Sequence, residues 1–184
     1  ALSEVYPAYY KLNDMVCENA DDVVEKCEVI FAALPHGLSQ ELGKKCIDSG
    51  KAFIDLGADF RLESEEEYTE WYDGTFLDKE LHEQAVYGLP EFFREKIQGK
   101  KLVANPGCYT TCSPLAIAPA IANGLIETKG IICDCKSGVT GAGRGLSQTT
   151  HYPDNNEAFS AYKAGLHRHT PEIEEPSEED EVVG

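Results

Sequence analysis

Residues 105–111, with the sequence NPGCYTT, join an apolar segment at 101–104 to a second apolar segment that runs to Asn123. The first segment is typical of a strand and the second of a helix, with a Pro-Gly turn between them. Cys108 therefore stands at a predicted helix N-terminus, where unpaired backbone N–H groups and the helix dipole favour the thiolate. Because the thiolate is the nucleophilic form, this arrangement indicates a candidate catalytic thiol. A free cysteine is also commonly an inert, buried hydrophobe, so the stretch alone leaves both interpretations open.

The segments before this stretch predict a parallel sheet. Residues 29–34 and 52–56 are short, continuous apolar runs, which are typical of strands buried on both faces. Between them, residues 39–48 carry apolar side chains at helical spacing and end near a glycine. This strand–helix–strand order implies a βαβ unit, so the predicted fold class is α/β.

Ligands of open α/β sheets bind at the carboxyl ends of the strands. The segments that follow the predicted strands, at 35–37, 57–61 and 105–108, are therefore expected to face one crevice. An acidic segment at 63–72, which also contains tyrosines and a tryptophan, is expected to form solvent-exposed surface.

The second half of the chain offers an anion site and two histidines. Residues 131–135 predict a strand, and the glycine-rich segment 136–145 exposes backbone N–H groups between cationic ends. Such a composition suits an anion cradle, although glycine clusters also mark flexible hairpin tips. His167 and His169 would share one face of an extended segment, with Arg168 on the other. Together with the thiol, these features indicate covalent acyl chemistry on an anionic substrate.

Composition and charge exclude several classes of function. The 184 residues are 42% hydrophobic with a formal net charge of -17, which describes a globular protein without a basic surface for nucleic acid or anionic membranes. No apolar run is long enough to span a bilayer, and the N-terminus shows no signal-peptide pattern. The seven cysteines form no C-x-x-C pair, and the apolar content argues against a disulfide scaffold. We therefore expect a cytoplasmic protein with reduced thiols and no metal.

Six motifs occur in an order that resembles one enzyme family. They are LPHG at 34–37, LGADFR at 56–61, YGLPE at 87–91, NPGCYTT at 105–111, SGVTGAGR at 137–144 and HRHTPEI at 167–173. The set resembles the N-acetyl-γ-glutamyl-phosphate reductases of arginine biosynthesis. NPGC alone is also similar to the wider aspartate-semialdehyde dehydrogenase group, so the number and order of the motifs make the resemblance specific.

The resemblance implies a fold and a reaction. Residues 1–105 would be the later part of a Rossmann-type, NADP-binding domain, and residues 106–184 the start of an α+β catalytic and dimerisation domain. The Cys108 thiolate would attack N-acetyl-γ-glutamyl phosphate, expel phosphate and form a thioacyl enzyme. Hydride from NADPH would then give N-acetylglutamate 5-semialdehyde. The family resemblance also implies a homodimer or homotetramer.

The resemblance assigns roles to single residues. Cys108 would be the nucleophile, with its own backbone N–H as an oxyanion donor, and His167 the group that exchanges protons. The residues that would bind substrate are Asn105, Arg144, Arg168, His169 and Glu172. The residues that would contact NADP(H) are Pro35, His36, Gly37, Ser137, Gly138, Gly141 and Gly143. The residues themselves do not decide between the two histidines or between NADPH and NADH.

Two features depart from the family pattern. The family's opening strand, glycine-rich turn and helix have no counterpart in the sequence, so we expect the chain by itself to bind NADPH weakly. After Ile173 an acidic run at 174–184 replaces the family's pattern, which indicates either a central fragment or a sequence with segments left out. The net charge also requires local arginines and lysines to attract two anionic ligands.

Other functions fit part of the pattern. A cofactor-independent cysteine hydrolase or acyltransferase would use Cys108 and His167, but it needs no second crevice for a dinucleotide. A semialdehyde dehydrogenase of the aspartate or aminoadipate pathway would share the layout, although the acidic surface argues against an acidic carrier protein as partner. A non-catalytic remnant, stable only within an oligomer, is the third alternative.

Overall fold

The structure is a computed structural model that describes residues 2–12 and 15–178, so the end of the predicted acidic run lies outside the described residues. The helices are α1 (Leu2–Val5), α2 (Ala20–Lys26), α3 (Ser39–Asp48), α4 (Glu65–Tyr72), α5 (Lys79–His82), α6 (Pro90–Ile97), α7 (Cys108–Ala122), α8 (Tyr152–Asn155) and α9 (Thr170–Glu178). Short 3₁₀ turns lie at Pro7–Tyr9, Val139–Ala142 and Gln148–Thr150. The strands are β1 (Val29–Ala32), β2 (Ala52–Asp55), β3 (Val86–Tyr87) and β4 (Leu102–Ala104). No helix in the described part of the chain is long and apolar enough to cross a membrane.

The four strands form one parallel sheet in the order β1–β2–β4–β3. Ile30 pairs with Phe53, and Phe53 pairs with Leu102, so large buried side chains of three strands lie in register. The core around them contains Val24, Ile30, Ala32, Cys46, Phe53, Phe60, Leu81, Leu102 and Ala104. The predicted α/β class and the βαβ unit formed by β1, α3 and β2 are confirmed.

One face of β1 differs from the expectation of strands buried on both sides. Ile30 and Ala32 are buried, whereas Val29 and Phe31 alternate with them and are exposed. No segment among the described residues covers that face, and β1 forms one edge of the sheet. The strand also ends at Ala32, earlier than predicted.

The acidic segment after β2 folds into α4 and is only partly solvated. The Ser64 hydroxyl accepts the Glu67 N–H at 3.3 Å, and acidic residues in the first turn complement the helix dipole. Tyr68 and Tyr72 are buried, and their rings stack at 5.6 Å between centroids. The expectation of exposed surface is therefore wrong for the tyrosines, because residues four apart lie on the same helix face and here that face points inward.

The strand predicted at 131–135 is wrong. Ile132 is 90% exposed, and no described segment pairs with this backbone to make a sheet. A strand without a neighbour leaves its N–H and C=O groups to water, so the apolar alternation alone does not form one. The extended conformation predicted around His167 is also wrong, because the chain turns there and enters α9 at Thr170.

Candidate active site

The predicted strand, turn and helix around Cys108 are present in the structure. After β4 the Asn105 N–H donates to Asp55 O at 2.8 Å, and α7 begins at Cys108 with Gly107 as its N-cap. The Gly107 carbonyl accepts both the N–H of Thr111 at 2.9 Å and its hydroxyl at 2.8 Å. Cys108 is exposed, so the alternative of a buried, inert cysteine is wrong.

Gly107 leaves room for two side chains over this helix N-terminus. Its φ of -76° and ψ of 174° are open to any residue, so backbone conformation does not require glycine here. A Cβ atom at this position would lie 2.8 Å from His169 Cε1 and 3.0 Å from both His169 Nε2 and Arg61 Nη1. The imidazole and the guanidinium therefore occupy the space that a side chain would fill, directly beside Cys108.

The two histidines lie together against the neighbours of the thiol. Their ring centroids are 4.7 Å apart, and the Tyr109 ring lies 5.3 Å from His167 and 6.2 Å from His169. Because Gly107 and Tyr109 flank Cys108, the pair packs on both sides of the thiol residue. The His169 N–H donates to His167 Nδ1 at 3.2 Å, so Nε2 is the ring nitrogen of His167 that this bond leaves able to exchange a proton.

Both imidazoles are neutral at pH 7. Burial is the largest cause that lowers the pKa of His169 to about 4, followed by His167, Arg61, Arg168 and Lys163. The pKa of His167 is also lowered, first by burial and then by Lys163 and Arg168. A neutral imidazole is a base that can accept the proton of a thiol within its reach.

Glu172, predicted to bind substrate, is enclosed by the protein. Arg61 Nη1 lies 3.5 and 3.4 Å from its two carboxylate oxygens, and the Tyr72 hydroxyl donates to Oε1. Arg61 Nη2 also donates to Leu56 O at 3.1 Å. The carboxylate therefore joins α9 to the loop after β2 and to α4. The sequence alone gives no role to Tyr72 or Arg61. Arg61 nevertheless lies in the LGADFR motif, in a segment expected to face the crevice.

The two arginines predicted to bind anions, Arg144 and Arg168, lie in different places. Arg168 is exposed and lies over the Tyr72 ring, 5.6 Å from its centroid, next to the histidine pair. Arg144 is also exposed, but its guanidinium lies over the Tyr6 ring at 4.6 Å. The structure thus brings Arg168 to the histidines, whereas Arg144 packs on the N-terminal segment.

Asn105 lies in the turn before Cys108, and Tyr162 interacts electrostatically with the thiol. The Asn105 side-chain amide donates to Pro106 O at 3.0 Å and so closes the turn before Cys108. The Tyr162 hydroxyl, which the sequence did not single out, lies 2.7 Å from the Tyr109 hydroxyl. That hydrogen bond is the largest cause that raises the pKa of Tyr162 to about 12, and the Cys108 thiolate contributes to the rise. Tyr162 is therefore within electrostatic reach of the thiol.

A buried carboxylate holds the loop after β1, which carries the predicted cofactor residues Pro35 and Gly37. Asp59 accepts the Gly37 N–H at 2.6 Å, the Ser39 N–H at 2.8 Å and the Tyr68 hydroxyl at 2.9 Å. Two of these donors lie at the start of α3, where helix N–H groups have no partner within the helix. Gly37 has a φ of +84°, which favours glycine, and a Cβ there would meet nothing within 4 Å. Asp59 therefore fixes the loop while leaving the surface at Gly37 clear.

The segments at 35–37, 57–61 and 105–108 converge, as predicted. Hydrogen bonds join the first two segments, and Arg61 of the second lies over Gly107 of the third. His36 is exposed in the first segment, with its ring 6.1 Å from the Tyr72 ring.

The glycine-rich segment lies along a wide cavity of about 1060 Å³. The cavity wall includes Tyr109, Ser137, Gly138, His167 and His169. Ser137 Oγ fills the space beside Gly141 that a Cβ would need, and Gly143 turns the chain with a φ of +79°. Of the described residues that line the cavity, Tyr109 is the nearest in sequence to Cys108, which does not contribute to the wall. The glycine-rich segment therefore lies on the histidine side of the site.

Comparison with known proteins identifies the family of both halves of the chain. Residues 1–100 match the family model described as "Semialdehyde dehydrogenase, NAD binding domain", and residues 108–182 match "Semialdehyde dehydrogenase, dimerisation domain". The chain belongs to the semialdehyde dehydrogenase family. The resemblance predicted from the six motifs is confirmed.

Relatives in several bacteria carry the name N-acetyl-gamma-glutamyl-phosphate reductase. The chain is 55% identical to the protein of Clostridium beijerinckii over 174 residues, 49% identical to that of Clostridium kluyveri over 175 and 45% identical to that of Brachyspira hyodysenteriae over 181. Each alignment covers 95% of this chain and 51% of the relative. The chain therefore spans about half the length of the curated relatives it matches.

Semialdehyde dehydrogenases bind a nicotinamide dinucleotide through their first domain. The described residues have room for its nicotinamide ring. The loop at 35–37 lies at the carboxyl edge of the sheet, and the clear surface at Gly37 permits close approach of a ring. The N–H groups of Gly37 and Ser39 are already bonded to Asp59, so these two groups are not free to hold the diphosphate. Among the described residues, no group of three His, Cys, Asp or Glu is placed to hold a metal ion.

Proposed function

We propose that the protein carries out the NADPH-dependent reduction of N-acetyl-γ-glutamyl phosphate to N-acetylglutamate 5-semialdehyde and phosphate, in arginine biosynthesis. One observation carries the proposal: an accessible thiol at a helix N-terminus has two neutral imidazoles packed on the residues either side of it. The names of relatives that are 45% to 55% identical support the same reaction.

Cys108 is proposed as the nucleophile. Its sulfur attacks the acyl carbon, the C–S bond forms as the bond to the phosphate oxygen breaks, and inorganic phosphate leaves a thioacyl enzyme. The first N–H groups of α7, beginning with that of Cys108, have no partner within the helix and can donate to the carbonyl oxygen as it gains charge.

His167 is proposed to exchange the proton of the reaction through Nε2. Because its Nδ1 accepts the His169 N–H at 3.2 Å, the resting ring carries its proton on Nε2. Losing the hydrogen bond from the His169 N–H costs about 1 kcal/mol. The tautomer protonated on Nδ1, whose Nε2 can take the thiol proton, is therefore accessible. The same nitrogen then returns a proton to the oxygen of the departing group.

A bound nicotinamide cofactor would supply the hydride that converts the thioester to the aldehyde. We propose that its NADP form is held from one domain by Pro35, His36 and Gly37 and from the other by Ser137, Gly138, Gly141 and Gly143.

The anionic groups of the substrate are proposed to bind beside the histidine pair. Arg168 is placed for this, because its exposed guanidinium lies next to the histidines and can bind a carboxylate or phosphate through two N–H groups. His169 and Asn105 are proposed as further substrate contacts, and Arg144 as one that would have to leave the Tyr6 ring to reach the substrate. Glu172, whose oxygens are engaged by Arg61 and Tyr72, would act by holding α9 in place.

We further propose that residues 1–105 and 106–184 form two domains and that the protein is a homodimer or homotetramer. Large apolar side chains in the second half are exposed, and the matching family model for this half is that of a dimerisation domain. These side chains include Leu125, Ile132, Leu146, Phe159 and Leu166.

The test measures phosphate-dependent reduction of NADP+ with N-acetylglutamate semialdehyde, the reverse reaction, in the complete protein that carries this chain. We expect Cys108→Ser to lower kcat by at least about 10³-fold, because an oxygen that stays protonated replaces a thiolate. Cys112→Ser is the matched control, since Cys112 is also exposed and lies one turn later on α7, and we expect it to keep wild-type activity within about twofold.

Activity that survives Cys108→Ser would contradict the thioacyl step. Hydrolysis of esters or thioesters by the wild-type protein without any nucleotide would favour a cysteine hydrolase. A wild-type protein that reduces another acyl phosphate and not this one would keep the mechanism but change the substrate.

A further inference from the structure

Tyr72 occupies a point where three parts of the site meet. It is the last residue of α4 and is 4% exposed, and its hydroxyl donates to Glu172 of α9. Arg168 lies over its ring at 5.6 Å, and the His36 ring lies 6.1 Å away. A tyrosine needed only for its hydrophobic ring would not require this buried hydrogen bond.

The carboxylate that receives this hydrogen bond controls where α9 starts. Glu172 is 0% exposed and lies in the first turn of α9, three residues after His169. The Ile173 N–H donates to His169 O at 3.1 Å, so the backbone of His169 is tied to the turn that carries Glu172. Because Tyr72 and Arg61 hold the carboxylate from two sides, the position of the His169 backbone is fixed.

The other end of His169 is confined by Gly107. A Cβ on Gly107 would lie only 2.8 Å from His169 Cε1, and the Tyr109 ring lies 6.2 Å from the imidazole between centroids. The His169 residue is therefore held at its backbone by α9, and its ring packs closely on Gly107 at the start of α7; we call the space above Gly107 the ring's seat.

We propose that Tyr72 is a positioning residue of the thiol centre: through Glu172 and the first turn of α9, its hydroxyl holds the His169 ring in the space above Gly107. The inference rests on the proposed function only in treating Cys108 as the reacting group. It assigns no contact between Tyr72 and the substrate.

Tyr72→Phe tests the proposal, because it removes the hydroxyl and keeps the ring. Tyr68→Phe is the matched control, since Tyr68 is an equally buried tyrosine of the same helix whose hydroxyl bonds Asp59 and has no bond to α9. In the complete protein we expect Tyr72→Phe to lower kcat roughly 10-fold with KM changed less than about twofold, because a displaced group costs rate more than binding. We expect Tyr72→Phe to slow the alkylation of Cys108 by iodoacetamide, followed by peptide mass spectrometry, because displaced imidazoles favour the thiolate less. We expect Tyr68→Phe to leave that rate at the wild-type value, and an unchanged rate in Tyr72→Phe would contradict the proposal.

A second readout separates positioning from loss of stability. The histidines can be titrated by NMR, with the His169 signal assigned from its absence in His169→Gln. We expect the pKa of His169 to rise in Tyr72→Phe, because a ring that leaves its seat gains water, and to stay unchanged in Tyr68→Phe. The charges that face this ring come from His167, Arg61, Arg168 and Lys163, and they are the same in both variants.

A double-mutant cycle with Gly107→Ala decides the route. The added methyl group removes the seat directly, so if Tyr72 acts through the seat, the two substitutions together should lower kcat no more than about twofold beyond Gly107→Ala alone. Additive losses, or an unchanged His169 titration in Tyr72→Phe, would overturn the proposal. The alkylation and NMR measurements need no turnover, so they stay decisive even where the reductase reaction itself is not observed.

Discussion

His82 shows how burial sets the protonation of a single side chain in this fold. It is 7% exposed, its Nε2–H donates to Leu62 O at 2.5 Å, and its ring stacks on Phe76 at 3.6 Å. Burial is the largest cause that lowers the pKa of His82 below its ordinary value of 6.5. The folded state therefore binds fewer protons than the unfolded state just below pH 6.5, and the free energy of unfolding falls as the pH drops from there.

We predict that His82→Gln loses stability less steeply than the wild type between about pH 7 and pH 5, measured by urea unfolding at a series of pH values. Glutamine keeps a side-chain N–H for Leu62 O but cannot take up the proton. His169 and His167, whose pKa values are also lowered, contribute equally in both proteins, so the difference in slope belongs to His82. An unchanged slope in His82→Gln would refute the prediction.

At the scale of elements, Asp59 joins the loop after β2 to the start of α3 and to α4. We predict that Asp59→Ala lowers the free energy of unfolding by about 3 kcal/mol, because it leaves the N–H groups of Gly37 and Ser39 and the buried hydroxyl of Tyr68 without an acceptor. Tyr68→Phe removes only one of the three bonds and should cost about 1 kcal/mol. Urea unfolding of the two variants measures both values, and equal losses would show that the N–H groups of Gly37 and Ser39 do not depend on the carboxylate.

The elements that could be predicted from the sequence are those set by neighbouring residues. The strands β1, β2 and β4 and the helix starts at Ser39 and Cys108 follow from apolar runs, turn residues and caps within a few positions. The strand predicted at 131–135 failed because a strand needs a partner that local sequence does not supply. The buried face of α4 was missed because its glutamates outnumber its tyrosines, although the four-residue spacing of Tyr68 and Tyr72 was a usable signal.

The candidate site shows the same division. Cys108, the two histidines and the three loops could be found because each lies in a recognisable motif. The role of Gly107 could not be found, because its φ is ordinary and the need for glycine comes from a ring 62 residues later in the sequence. The pairing of Arg61 with Glu172 was equally hidden, since 111 residues separate the two partners.

At the scale of the whole molecule, that pair joins the region that carries the histidines to the parallel sheet. Arg61 follows β2 and Glu172 lies on α9, and their side chains are 6% and 0% exposed. A buried charge that loses its partner is left without water or counter-charge, whereas an exposed pair is already solvated. The free energy of unfolding should therefore fall most when only one partner of the Arg61–Glu172 pair is removed.

We predict that Glu172→Ala lowers the free energy of unfolding by about 3–5 kcal/mol, because Arg61 stays buried without its carboxylate and the Tyr72 hydroxyl loses its acceptor. Lys45→Met, which breaks the exposed pair with Asp21 at 2.5 Å, is the control and should cost about 0–1 kcal/mol. The double variant Arg61→Met with Glu172→Met should recover most of the loss, since it leaves no buried charge.

Amide hydrogen exchange locates the effect: in Glu172→Ala the first turns of α9 should exchange faster while β2 and β4 stay protected, because the sheet has its own core. Uniform loss of protection across both regions would instead show that α9 and the sheet unfold as one unit.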